Sequence, residues 1–171
     1  MHYYQESLFP NPRAHAPAMP YCLSCNALMA WKHKVAQFQR QVLLSQPLLN
    51  PFALPPQPME FFRLPQPNGG DACLYFVIDQ HSQIILYIGE TQRSDRRWQG
   101  EHDCKGYLEN YRNAHQVHNL TVQISLAFWW DTARDRSDRQ KLELQLINQW
   151  LPPFNKQNWQ RWHTPFLNIP S

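Results

Sequence analysis

The chain has 171 residues, a formal charge of +3, four cysteines, and 43% hydrophobic residues. That length suits one domain with an appendage, large enough to bury a core without covalent staples. The cysteines are too few for a disulfide scaffold, no apolar run reaches the ~18–20 residues of a membrane span, and a charge this mild does not by itself mark a nucleic-acid binder. The opening MHYYQESLFPNPRAH is polar and proline-broken. It has no charged-then-apolar leader, so a reducing cytoplasm is the expected location, with no membrane partner.

Taken in chain order, residues 1–70 read as an N-terminal extension. Leu28, Trp31, Val35, Phe38 and Val42 recur at steps of three and four, the spacing of one helical face, with Lys32, Lys34, Gln37, Gln39 and Arg40 filling the polar side. This predicts an amphipathic helix between Leu23 and Ser45, ending before Pro47. From Pro47 to Pro67 the prolines impose an extended strap, with Phe52, Phe61 and Phe62 as anchors on the domain. Eleven of the fifteen prolines lie between Pro10 and Pro67, and none between Asn68 and Leu151. Continuous regular structure is therefore expected in residues 71–155, bounded in front by the turn signal Asn68–Asp71.

That span reads strand, strand, helix, strand, helix: a hairpin from Cys73–Asp79 and Gln83–Gly89, a basic helix from Ser94 to about Tyr111, a strand from Thr121 to Trp129, and a helix from Ser137 to Trp150. Leu142, Leu146, Ile147 and Trp150 form one face of this last helix, Ser137 or Asp138 starts it, and Pro152 and Pro153 stop it. The class is α+β, a small three-stranded antiparallel sheet flanked by helices, with the N-terminal amphipathic helix and proline-rich strap added. Pairing Ile78 with Ile84 would set Tyr75 directly opposite Tyr87, sharing a face with Val77 and Ile85, while Leu74, Phe76, Leu86 and Ile88 take the other. Residues 156–171 form a basic aromatic tail in which Lys156, Arg161 and His163 interleave with Trp159 and Trp162. Such interleaving suits unpaired nucleic acid, and equally a tail that packs its tryptophans on the domain. Charge is uneven: residues 71–155 hold nine Lys/Arg against eleven Asp/Glu, while the flanks are net basic. A polyanionic partner would be attracted mainly by those flanks.

Cys73-Leu74-Tyr75 and Tyr87-Ile88-Gly89, followed in order by Arg97, His102, Glu143 and Asn155, resemble the GIY-YIG endonucleases. The resemblance covers roughly Cys73 to Asn155. It implies metal-dependent hydrolysis of phosphodiester bonds in nucleic acid, with DNA the expected substrate and one Mg²⁺ or Mn²⁺ bound by Glu143. Tyr75 or Tyr87 would be the general base and the other a positioning donor. Arg97 would grip phosphate, His102 would orient or shuttle a proton, and Asn155 would hold the glutamate or a phosphate. Arg93, Arg96, Lys105, Lys156 and Arg161 are the cations expected to meet the nucleic-acid backbone. Three features depart from the family's pattern. Cys73 replaces the first motif's glycine. Glu90 adds a carboxylate that would repel phosphate. His102 lies five residues after Arg97, about 140° round a regular helix from it. The alternative is a catalytically inactive module that keeps the fold and binds nucleic acid or a protein. Cys22-x-x-Cys25 has no second pair at zinc-finger spacing, so reduced thiols are the expected reading there.

Overall fold

The structure, a computed structural model, describes residues 23–59, 71–94 and 103–167. Among these, helix α1 (Cys25–Leu44) leads through a short 3-10 turn (Pro51–Ala53) to strands β1 (Cys73–Asp79) and β2 (Ile84–Thr91). Helix α2 (Asp103–Val117), strand β3 (Ile124–Trp129), helix α3 (Arg136–Trp150) and the one-turn helix α4 (Trp159–Trp162) follow. The sheet is antiparallel in the order β2-β1-β3, so the α+β architecture expected from the sequence is the one observed. Element bounds differ modestly. α2 runs on to Val117, β3 begins at Ile124, and the residue that caps α3 is Asp135, whose carboxylate accepts from the amides of Ser137 (2.8 Å) and Asp138 (3.3 Å). Asp135 precedes the first helical residue, where such a side chain satisfies otherwise orphaned N–H groups.

Each sheet face carries its own core. Cys73, Tyr75 and Val77 of β1 pack with Leu28, Trp31 and Val35 of α1, with Leu108 and Tyr111 of α2, and with Phe154 and Phe166. Leu74, Phe76 and Ile78 face Leu146, Ile147 and Trp150 of α3. Every residue of β1 is buried, as the central strand of a sheet covered on both sides must be. The N-terminal helix and the C-terminal tail thus contribute to the same core as the sheet. The described part of the strap, residues 47–59, lies on the domain. Phe52 packs edge-on to Trp150 with ring centroids 5.8 Å apart, and Gln57 forms an isolated bridge with Leu126 on the outer edge of β3. Phe61 and Phe62 lie outside the described residues.

α1 is tied to the hairpin by charge as well as by apolar contact. Lys32, read from the sequence as solvated, is buried with its ammonium 3.4 Å from the carboxylate of Asp79. Tyr111 Oη donates to the same carboxylate at 2.8 Å. His115 Nδ1 lies 2.7 Å from the carbonyl of Tyr111, so it carries the proton and donates. That leaves Nε2 to accept from Lys32 Nζ at 2.6 Å. Burial drives Lys32 below the ordinary ammonium range, with Asp79 opposing, and raises Tyr111 well above the usual phenol range, with Asp79 reinforcing. Burial also lowers His115 beneath 6.5; Lys32 and His81 add to that shift, while the Tyr111 carbonyl and Asp79 oppose it.

A histidine kept neutral in the fold but free to protonate when unfolded stabilises the protein fully above its unfolded pKa, and that stability is lost as the pH falls. Urea unfolding should therefore show stability declining as the pH drops below 6.5, by up to ~1.4 kcal/mol per pH unit from this one group. His115→Gln should flatten that part of the profile. An unchanged slope in the variant would contradict the assignment.

Candidate active site

β2 is an edge strand, and its outward N–H and C=O groups need partners. Among the described residues no further strand supplies them; three side chains and one backbone amide do. Gln39 of α1, fully buried, donates to the carbonyl of Ile85 at 3.0 Å and accepts from its amide at 2.7 Å. The amide of Phe154 donates to the carbonyl of Leu86 at 2.9 Å. Asn155 repeats the Gln39 arrangement on Ile88, accepting from the amide at 3.0 Å and donating to the carbonyl at 2.8 Å. Glu143 of α3 then accepts from the amide of Glu90 at 3.0 Å. Residues from three distant parts of the chain thus stand where a fourth strand would, and they fix the backbone of the Tyr87-Ile88-Gly89 motif. Asn155 is 5% exposed, and both heteroatoms of its amide are engaged by Ile88. Its amide thereby positions the motif.

The tyrosines share a face, by a different register from the one expected. Asp79 pairs with Ile84 and Ile78 with Ile85, but Val77 pairs with Tyr87 and Tyr75 with Gly89. Leu86 is the extra residue of a β-bulge, and it shifts the remaining ladder by one. The bulge places Leu86 on the Tyr75 face and sends Ile85 to the α3 face, the reverse of a regular ladder. Tyr75 is therefore a diagonal rather than a direct neighbour of Tyr87, with ring centroids 6.0 Å apart. Gly89 lies beneath the Tyr75 ring. A Cβ there would meet Cζ and Oη and come 2.7 Å from Cε1. Only glycine lets the ring cross the strand. Gly89→Ala should cost ~1–3 kcal/mol of stability by overpacking and displace the phenol, which denaturant melts and cleavage rates would register together. A variant as stable as the parent would mean that Tyr75 can rest elsewhere.

Glu90, which the sequence presents as a repulsive charge near phosphate, is neutralised. Arg139 of α3 donates to its Oε1 through Nη2 at 2.9 Å and Nε at 3.1 Å, and the two side chains are 3% and 7% exposed. The remaining Arg139 donor, Nη1, holds the carbonyls of Ala133 (3.1 Å) and Arg134 (2.6 Å) in the β3–α3 loop. Arg139 carries no motif signal; only the buried carboxylate opposite explains it. Cys73 is fully buried, and its thiol is pushed up to about 12, by burial first and then by Glu90 and Asp71, with Arg139 opposing. A thiol so buried packs as a small apolar group of the core.

Of the other expected residues, Arg96, Arg97 and His102 lie outside the described residues, as does Cys22. Arg93 is exposed just after β2, its amide donating to Thr91 Oγ1 at 3.1 Å. Lys105 is half-buried on α2. In the tail, the packing alternative prevails for the tryptophans. Trp162 donates to the Leu151 carbonyl at 2.7 Å and meets Phe38 edge-on, while Trp159 meets Tyr107. Lys156 and Arg161 remain exposed, the first over Trp159 and the second over Phe38 and Trp162. Among the described residues, no group of three or more His, Cys, Asp or Glu could enclose a metal ion. A single half-buried carboxylate, Glu143, held at one oxygen by a backbone amide, fits a hard cation that keeps most of its water. It does not fit a closed zinc site.

The site is thus a small antiparallel sheet whose edge strand is locked from outside, with two phenols on one face and a glutamate at the end of that edge. The family model of the GIY-YIG catalytic domain matches residues 71–158. The chain belongs to the GIY-YIG family. No curated protein and no solved structure matches it. Among the described residues, no helix is long and apolar enough to cross a membrane.

Proposed function

We propose that this protein is a metal-dependent endonuclease that hydrolyses phosphodiester bonds in DNA, with one Mg²⁺ or Mn²⁺ held by Glu143. The observation that carries the reading is the bond from the Glu90 amide to Glu143. It brings the carboxylate to the residue next to Gly89, on which the Tyr75 ring lies. A divalent cation bound there supplies positive charge against the phosphorane-like transition state.

The chain's own residues do the rest. Tyr87 is half-buried and Tyr75 fully buried, so Tyr87 is the phenol that water reaches, and it acts as the base in its ionised form. It takes the proton of the attacking water as oxygen bonds to phosphorus. The bond from phosphorus to the leaving oxygen breaks, that oxygen takes a proton from solvent, and the products are a phosphate monoester and an alcohol. Tyr75, fully buried with its ring over Gly89, positions the motif beneath Tyr87 and does not itself meet the water. Arg97 binds phosphate oxygens and His102 orients a proton, the roles the family resemblance gives them. Arg93, Arg96, Lys105, Lys156 and Arg161 attract the nucleic-acid backbone. Cys25, Cys73 and Cys104, the described cysteines, form no disulfide, which fits a reducing, cytoplasmic setting.

The test is incubation of purified protein with supercoiled, linear, branched and single-stranded DNA and with RNA, each with Mg²⁺, Mn²⁺ or EDTA. Nicking that requires metal is the expected result. Binding without cleavage under every condition would make the protein the inactive module instead.

A further inference from the structure

We propose that Lys34 of α1 and Arg161 of α4 form a two-cation grip on the sugar–phosphate backbone of the substrate, several nucleotides from the scissile phosphate. This rests on the endonuclease reading for the identity of that polyanion. α4 is docked on one flank of α1. Trp31 Nε1 donates to the carbonyl of Trp162 at 3.0 Å, and Trp162 meets Phe38 edge-on with ring centroids 5.7 Å apart. Lys34 lies three residues after Trp31 and four before Phe38, so it stands on the same flank, beside α4. The guanidinium of Arg161 lies over Phe38, 5.2 Å from the ring centroid, and over Trp162 at 5.6 Å. Both cations are exposed.

Neither charge is spent inside the protein. Among the described residues no hydrogen bond or ion pair engages the side chain of Lys34 or Arg161, whereas the neighbouring Lys32 is consumed by Asp79. Neither α1 nor the stretch from Lys156 to Ser171 contains an Asp or Glu. The two rings hold the guanidinium by cation–π attraction and leave its N–H groups to a ligand. Those forked donors match phosphate oxygens, and the lysine adds a point charge beside them. Trp162 is itself fixed, its Nε1 donating to the Leu151 carbonyl at 2.7 Å. The arginine is therefore pre-set, and binding carries little ordering cost.

Two rulers relate the grip to the active site. Trp162 is anchored at Leu151, eight residues beyond Glu143, or ~12 Å at the rise of an α-helix. Gln39, next to Phe38, is bound to Ile85, five residues before Glu90, or ~17 Å along a strand. At ~3.4 Å per phosphate along one strand, the backbone crosses that distance in about four or five nucleotides. A contact to phosphate so placed adds affinity that does not depend on base sequence.

The experiment reads binding by fluorescence anisotropy in EDTA, with a fluorescein-labelled branched DNA, between ~50 and ~200 mM salt. It compares parent, Lys34→Ala, Arg161→Ala, the double variant, Arg161→Lys and Arg40→Ala, with thermal melts to confirm folding. Arg40 is exposed and lies six residues from Lys34, about 120° round α1, so it controls for charge without position. Each alanine in the grip should lower the slope of log affinity against log salt by ~0.9, so that raising the salt costs it about 3- to 4-fold less than the parent. The double variant should lose twice that slope, Arg161→Lys should regain most of it, and Arg40→Ala should match the parent. Parental slopes in Lys34→Ala and Arg161→Ala, or an equal fall in Arg40→Ala, overturn the proposal. So does binding to phosphatidylserine vesicles that the double variant loses while its DNA binding is kept. A protein that shows the expected slopes in EDTA but never cleaves in Mg²⁺ refutes the endonuclease reading and upholds the grip. One that cleaves, with parental slopes in the double variant, does the reverse.

Discussion

Glu143→Gln should leave the fold intact and lower cleavage by about a thousandfold or more. The amide oxygen of glutamine still accepts from the amide of Glu90, so the edge of β2 stays capped and the melting behaviour stays close to that of the parent. What is lost is the negative charge. A metal ion contributes several kcal/mol of charge stabilisation to phosphoryl transfer, and each 1.36 kcal/mol is a factor of ten in rate. Glu143→Ala removes the acceptor as well and should cost an additional ~1–2 kcal/mol of stability, because the Glu90 amide is left unsatisfied. The pair of variants separates the two roles of one side chain. Equal cleavage by parent and Glu143→Gln would remove Glu143 from the chemistry.

The second large effect is structural. Arg139→Met should destabilise the protein by ~3–5 kcal/mol, read from urea unfolding, because it strands the Glu90 carboxylate in a nearly dry site. It also releases the carbonyls of Ala133 and Arg134 from the β3–α3 loop. Replacing Glu90 by Gln in the same background should recover a large part of the loss, since the cost lies in the unpaired charge rather than in the missing bond. Such coupling is what a cycle of single and double variants measures for residues in contact. A loss below ~1 kcal/mol in the single variant would place the pair among exposed ion pairs and would contradict its burial.

The frame was legible because it rests on local pattern. The proline-free span, the period-two apolar runs and the helical spacing of Leu142, Leu146, Ile147 and Trp150 give the sheet and its helices. The edge of β2 was not legible. Gln39 and Lys32 occupy the polar positions of an amphipathic helix, where a solvated side chain is the ordinary outcome. They are buried because that face of α1 meets β2 and the hairpin end, a long-range contact that helical periodicity does not report. The register failed at a single residue. Nothing in the run Ile84-Ile85-Leu86-Tyr87 distinguishes a regular strand from one with an extra residue, since all four are apolar or aromatic and tolerate either face. Motif order points to Asn155 but not to its bonds with the backbone of Ile88, because a short amide serves a strand backbone as readily as a phosphate. Glu90 misled through its charge; its partner lies 49 residues on, in α3.

The proposed chemistry depends on where the divalent ion binds. Crystals soaked in Mn²⁺ and measured for anomalous scattering should show a peak at the Glu143 carboxylate, beside the edge of β2 at Glu90, and none in Glu143→Gln. A peak bound elsewhere, indifferent to the loss of Glu143, would contradict it.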